Sequence, residues 1–131
     1  MSEENVSLVR GLYDAFNSRD FDAVLSVFAE DIDWYEAEGM PFGGYQQGPQ
    51  AVAKNVLGPM TTAIDNLQIT MDEVYAGGDE VVTITSGTGT ARESGKELRV
   101  QVAHAWTVRD GKIARFRQFI DTVKYNEVIA V

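Results

Sequence analysis

His104-Ala105-Trp106-Thr107-Val108-Arg109-Asp110-Gly111-Lys112-Ile113 is the stretch on which the fold turns. Large apolar side chains alternate with small or polar ones up to Arg109, the period of a strand with one buried face. Asp-Gly between two such runs is a strong hairpin signal, because both central residues of a type I′ turn take positive φ. The strand before the turn starts near Leu98, and the strand after it runs from Lys112 to about Val123. Two registers are open. A two-residue turn sets His104 opposite Arg117 and puts His104, Trp106, Arg117, Phe119 and Asp121 on one face. A three-residue turn with a glycine bulge groups His104 with Phe116, Gln118 and Ile120 instead, and Asp121 turns away. A bulge near Ile120 would reconcile the two.

Two more strands precede this hairpin. Leu67 to Ala76 and Val81 to Ala91 flank Gly77-Gly78-Asp79, and the second run is rich in Val, Ile and Thr. The four strands read as an antiparallel meander. Upstream, the chain is helical. Val6, Val9, Tyr13 and Phe16 share one face of a helix from Ser2 to about Ser18, widened by Leu8 and Leu12. Asp20 caps a second helix whose apolar positions are Phe21, Val24, Leu25 and Phe28. Asp33 to Ala37 is a short strand, and Glu38 to Tyr45 is a loop dense in glycine and aromatics. Gly48-Pro49-Gln50 opens a third helix, which Gly58-Pro59 kinks or ends. The expectation is an α+β chain with three helices packed on a curved, mainly antiparallel sheet.

The chain has 131 residues, which suits a single domain spanning 1–131. It has no cysteine, so disulfides, thiolate catalysis and Cys-ligated metal sites are excluded. The net charge is −9, unevenly spread: residues 1–80 carry 15 acidic and 3 basic side chains. Such a chain repels phosphate backbones, so no nucleic acid is expected. No apolar run approaches the ~18–20 residues of a membrane span, and the acidic start is unlike a signal peptide, so no membrane partner and a cytoplasmic location are expected. One histidine cannot build a multi-histidine metal site, and no phosphate loop, dinucleotide fingerprint or nucleophile elbow is present. Neither metal nor cofactor is expected.

Tyr13 to Asn17, Asp20 to Phe28, Trp34-Tyr35-Glu36, Gly48 to Val52, His104 to Ile113 and Asp121-Thr122 together resemble the NTF2-like superfamily, in its SnoaL-like and ketosteroid-isomerase-like branch. The resemblance covers nearly the whole chain. It implies a cone, a cystatin-like α+β barrel with an apolar cavity at its wide end, in a family of isomerases, polyketide cyclases, dehydratases, epoxide hydrolases and non-catalytic modules. It also implies site residues. Asp121 stands at the spacing of the cyclases' acid/base aspartate, Glu36 in the slot of the isomerases' general base, and His104 near the slot of their oxyanion acid. Trp34, Tyr13, Phe16, Phe42, Trp106 and Gln118 are the expected lining. Tyr13 lies one position past the isomerase tyrosine, and His104 replaces the oxyanion acid, so ketosteroid isomerase activity itself is not expected. Gln101 and His104 occupy the strand of the epoxide hydrolases' aspartate–arginine–aspartate set, which is not recoverable here.

The chemistry that fits these residues is proton transfer beside a carbonyl. A carboxylate in an apolar pocket becomes a stronger base, and a donor aimed at the carbonyl oxygen stabilises the enolate. Against this stand plainer readings. Asp121 would pair with Arg99 or Arg117, Glu36 would be a solvated neighbour of Glu38, and the aromatic residues would be core. The expected function is a cofactor-independent cyclase, isomerase or dehydratase acting on a small apolar carbonyl compound. The alternatives are a non-catalytic small-molecule binding module and a dimeric interaction module, and a homodimer is expected in each case.

Overall fold

The computed structural model describes residues 2–129. Helix α1 (Ser2–Asn17) buries Val9, Leu12, Tyr13 and Phe16 at steps of three and four. Asp20 caps α2 (Phe21–Ser26), its side chain accepting from the Ala23 N–H. Strand β1 then begins at once and runs Phe28–Glu36. Phe28 is therefore a strand residue: it fits the helical spacing, but its side chain packs against Trp34 at 5.5 Å between ring centroids. The end of the expected loop, Gly44 and Tyr45, belongs instead to a short edge strand, β2 (Gly44–Gln47), along β1.

Residues 49–63 make one bent helical body. It is α-helical over Pro49–Val52 (α3), π-helical over Ala53–Leu57, and α-helical again over Gly58–Ala63 (α4). Pro59 has no N–H to donate, and the wide turn absorbs the defect, the Gly58 N–H reaching back five residues to the Ala53 carbonyl. The meander follows as β3 (Ile64–Gly77), β4 (Glu80–Ala91), β5 (Glu97–Arg109) and β6 (Lys112–Ile120). After Asp121 the chain leaves the sheet and forms α5 (Thr122–Ile129). The described residues thus hold four helical bodies, one more than the sequence suggests. The last strand stops at Ile120 because Asp121 caps that helix.

The sheet order is β2-β1-β6-β5-β4-β3. Only β1 and β6 run parallel. The sheet is open, with β2 and β3 as its edges, and does not close into a barrel. Its inner face carries Leu98, Val100, Val102, His104, Trp106 and Val108 of β5, all buried. Both registers foreseen for the last hairpin contribute. Asp110 and Gly111 have φ of 54° and 73°, the two-residue type I′ turn. Arg109 accordingly faces Lys112 and Val108 faces Ile113, but Thr107 faces Arg115. Ala114 is the extra residue of a β-bulge, and beyond it His104 faces Gln118. The turn belongs to one expected register and the upper hairpin to the other, with the bulge next to the turn rather than near Ile120.

Two side-chain devices lock α1 to the sheet edge. The Asn17 amide pairs in both directions with the backbone of Ile69, at 2.8 and 2.9 Å, and Arg19 donates to the Leu67 carbonyl at 2.7 Å. At Gly89 the chains approach so closely that a Cβ would lie 2.6 Å from Ile64 Cγ2 and 3.1 Å from the Asp65 carbonyl oxygen. The close contact with backbone leaves little room to relax. Gly89→Ala is expected to destabilise by about 1–3 kcal/mol, the range for overpacking. A thermal melt would show it as a drop of several degrees, and an unchanged Tm would refute it.

Candidate functional site

The hairpin register assembles the site. On the inner face Glu36 of β1 stands beside Gln118 of β6, one step beyond the pair Tyr35–Arg117. Gln118 faces His104 of β5, and His104 faces Thr83 of β4. Four polar side chains therefore form one row across four strands. Two residues back lies a second row: Trp34 faces Phe116, Phe116 faces Trp106, and Trp106 faces Val81. Trp34 stacks on Phe116 at 3.8 Å between centroids, and Trp106 leans on Phe116 at 4.6 Å. A cavity of about 70 Å³ lies over these rows. Its wall includes Tyr13 and Phe16 from α1, Met60 from α4, Ile120 from β6 and Tyr125 from α5.

Glu36 is only 3% exposed. Burial in this apolar wall pushes its carboxyl up to about 7, opposed in part by hydrogen bonds from Trp34 and Gln118. The Trp34 Nε1–H donates to Glu36 Oε1 at 2.9 Å. Gln118 is oriented for its own bond, because its Oε1 accepts from the Ala37 N–H at 3.1 Å and leaves the amide NH₂ for Glu36.

His104 belongs to a knot around the Tyr13 hydroxyl. Tyr13 Oη lies 2.5 Å from His104 Nδ1 and 2.6 Å from Thr83 Oγ1, and the Trp106 Nε1–H donates to it at 3.2 Å. The directions follow when the fully buried Thr83 hydroxyl is satisfied ahead of the second imidazole nitrogen. Thr83 is fully buried, and the Tyr13 oxygen is the acceptor within its reach, so Thr83 donates to Tyr13. The single Tyr13 proton then goes to His104 Nδ1. His104 therefore carries its own proton on Nε2, which has no protein partner among the described residues. Burial pushes the imidazole down to about 3, so the ring is neutral at pH 7. The Tyr13 phenol, raised by the same cause, stays protonated.

The expected residues fall into two sets. Glu36, His104, Gln118, Trp34, Tyr13, Phe16 and Trp106 all line the cavity. Phe42 does not, since it is half-buried against the outside of the core. Asp121 is exposed, and its Oδ1 accepts from the Lys124 N–H at 3.0 Å, which makes it the N-cap of α5. The structure does not bring it to Glu36 and His104. What it does instead is start the helix that carries Tyr125 into the cavity wall, four residues on. Thr83 and Tyr125 were not singled out in the sequence. Thr83 is recognisable only once His104 has a cross-strand partner. Tyr125 could have been found from Asp121 followed by Tyr125, Val128 and Ile129 at helical spacing.

Two expected outcomes follow from these placements. Asp121→Asn should keep both stability and any activity, because asparagine caps as well as aspartate, while Asp121→Ala should cost about 1 kcal/mol of stability. A loss of turnover in a fully stable Asp121→Asn protein would contradict the cap assignment. The second outcome concerns pH. Between pH 4.5 and 7 the folded chain holds a proton on Glu36 that the unfolded chain has released, so this group lowers stability as pH rises through that window. His104 acts in the opposite sense, removing stability as pH falls below 6.5, where the unfolded chain gains a proton that the buried ring refuses. Comparing Glu36→Gln with the unsubstituted protein cancels the histidine. Urea unfolding should show the variant gaining on the parent by about 3 kcal/mol from pH 4.5 to pH 8. A difference that does not change with pH would show that Glu36 titrates normally.

Among the described residues no helix is long and apolar enough to cross a membrane. No curated protein matches the chain. Solved structures do. An NTF2-like protein of unknown function from Burkholderia pseudomallei K96243 is 28% identical, with the whole of both chains covered and a TM-score of 0.90. TerC, co-crystallised with polyporic acid, is 27% identical over 98% of this chain and 99% of its own, with a TM-score of 0.89. A protein from Catenulispora acidiphila DSM 44928 with a ketosteroid isomerase-like fold, in complex with trimethylamine, shares the fold at 16% identity, a TM-score of 0.82, and 95% and 92% coverage. The family described as the SnoaL-like domain matches residues 9–116, and the chain belongs to that family, within the NTF2-like fold.

Proposed function

We propose that this protein is a cofactor-independent enzyme that moves a proton next to the carbonyl group of a small apolar compound, as an isomerase, cyclase or dehydratase does. One observation carries the reading. A carboxyl group with a pKa near 7 and a neutral imidazole stand on the same inner face, two strands apart, in an apolar cavity. Two strand spacings put their backbones about 10 Å apart, a distance that a ring compound and two side chains can span. The co-crystallisation of TerC with polyporic acid supports an organic small molecule as occupant. A cavity that binds a single aromatic ring measures about 150 Å³, so the cavity of about 70 Å³ takes a single-ring compound as side chains of its wall move aside.

The roles follow from the proton positions. The Glu36 carboxylate removes a proton from the carbon next to the carbonyl. As the C–H pair becomes a carbon–carbon double bond and the carbonyl π pair moves onto oxygen, that oxygen accepts a hydrogen bond from the His104 Nε2–H. A neutral ring suits this role because it donates without giving its proton away. Tyr13, by donating to Nδ1, draws electron density from the ring and makes the Nε2–H a better donor. Protonated Glu36 then returns the proton, to another carbon in an isomerisation or to a departing hydroxyl in a dehydration. Trp34, Phe116 and Trp106 form an aromatic wall that keeps water away from the enolate. A positioned base is worth about 10²–10⁴ in rate, and one oxyanion donor about 10²–10³. Two copies are proposed to pair through the outer face of the sheet, where Tyr35, Tyr45 and Phe119 are exposed.

Hydrogen–deuterium exchange next to the carbonyl of a panel of cyclic ketones, followed by NMR, tests the base. The protein should accelerate exchange with a rate that rises with pH and levels off above 7, as Glu36 ionises. Glu36→Gln should lower that acceleration by a factor of about 10² or more. Equal rates in Glu36→Gln and the parent would remove Glu36 from the reaction.

A further inference from the structure

One cavity residue has no task in that mechanism. Tyr125 is 3% exposed, lines the cavity, and its fully buried hydroxyl has no hydrogen-bond partner among the described residues. A buried hydroxyl with no partner is unfavourable, and phenylalanine would fill the same space without that loss. The surrounding structure nevertheless holds it in place. Asp121 caps the helix, the Ser94 hydroxyl donates to the Val128 carbonyl at 2.7 Å, and the Asn126 amide donates to the Gly39 carbonyl at 2.6 Å. Lys96 Nζ also reaches the Glu127 carbonyl at 3.1 Å. The helix is thus tied both to the β4–β5 turn and to the loop before β2. Burial and the nearby charge of Glu36 keep the phenol protonated, so it can only be filled as a donor or by a protic ligand.

We propose that Tyr125 is a ligand-binding residue whose hydroxyl donates to a second oxygen of the bound compound, so that the cavity selects a single-ring ketone bearing another oxygen function over the same ring without it. The inference rests on the reading of the cavity as a site for small carbonyl compounds, but not on Glu36 acting as a base. His104 holds one oxygen from the sheet side, and Tyr125 holds the other from the C-terminal helix. The empty protein accepts an unpaired hydroxyl, and the correct ligand satisfies it.

Cyclohexanone and 1,4-cyclohexanedione are suitable probes, being neutral, similar in size and different in one oxygen. Both tryptophans line the cavity, so their indole N–H signals report binding in an NMR titration. The parent protein should bind the dione about tenfold more tightly than cyclohexanone, the effect of one added hydrogen bond. Tyr125→Phe should lose that preference, keep its affinity for cyclohexanone within twofold, and melt a few degrees higher because the unpaired hydroxyl is gone. The inference is overturned if the parent shows no preference or binds neither probe, if the variant keeps the preference, or if the variant loses both probes together with a lower Tm. Glu36→Gln, run in the same titration, should keep the preference for the dione. Loss of deuterium exchange activity as evidence for the base and loss of dione selectivity are therefore separate failures.

Discussion

One extra residue in one strand orders the whole inner face. Ala114 opposes nothing across the β5–β6 hairpin, and from there outward each partner is displaced by one. Because side chains alternate between faces, that single displacement sends Phe116 and Gln118 inward and Arg115, Arg117 and Phe119 outward. The parallel β1 then lines up with β6 so that Trp34 meets Phe116 and Glu36 meets Gln118. A hairpin without the bulge would put the Arg115 guanidinium where Phe116 now stands and that of Arg117 where Gln118 stands. The polar row and the aromatic row are thus consequences of register, and both rest on a turn whose two residues tolerate positive φ.

Given that frame, burial governs the chemistry. The same exclusion of water raises Glu36 and lowers His104, so that a carboxyl group able to accept a proton near pH 7 and an uncharged donor coexist without forming an ion pair. Neither is left bare. Trp34 and Gln118 hold the carboxylate, and Tyr13 holds the imidazole while itself being held by Thr83 and Trp106. Helix α1 therefore does more than cover the sheet, since its Tyr13 hydrogen-bonds the ring of a residue 91 positions further along the chain. A carboxyl buried in this way weakens folding above its ordinary pKa, and such groups cluster at functional sites.

Much of this was legible in the residues. The helical stripe of α1, the Asp20 cap, the Asp110-Gly111 turn and the meander all follow from local rules, and they are where the structure places them. Family resemblance drew attention to Glu36 and His104, and both line one cavity. The rest depended on non-local facts. Nothing near Ala114 marks it as a bulge, because its burial is settled by what packs over the hairpin. Phe28 fits a helix by spacing, yet Trp34 draws it into a strand. Asp121 has the right spacing for an acid in related proteins, but three residues later an N–H needs an acceptor, and the capping bond decides where the carboxylate points. With Asp121 turned outward, the short helix behind it supplies Tyr125 in its place.

The central claim is that the sheet presents Glu36 to a space from which water is excluded. A ¹³C NMR titration of the side-chain carboxyl carbon of Glu36, in protein labelled at glutamate and assigned by Glu36→Gln, measures that directly. The account predicts a midpoint near pH 7, well above the other glutamates. A midpoint near 4.5, the ordinary value, would mean that the carboxylate is solvated, and the proposed chemistry would lose its base.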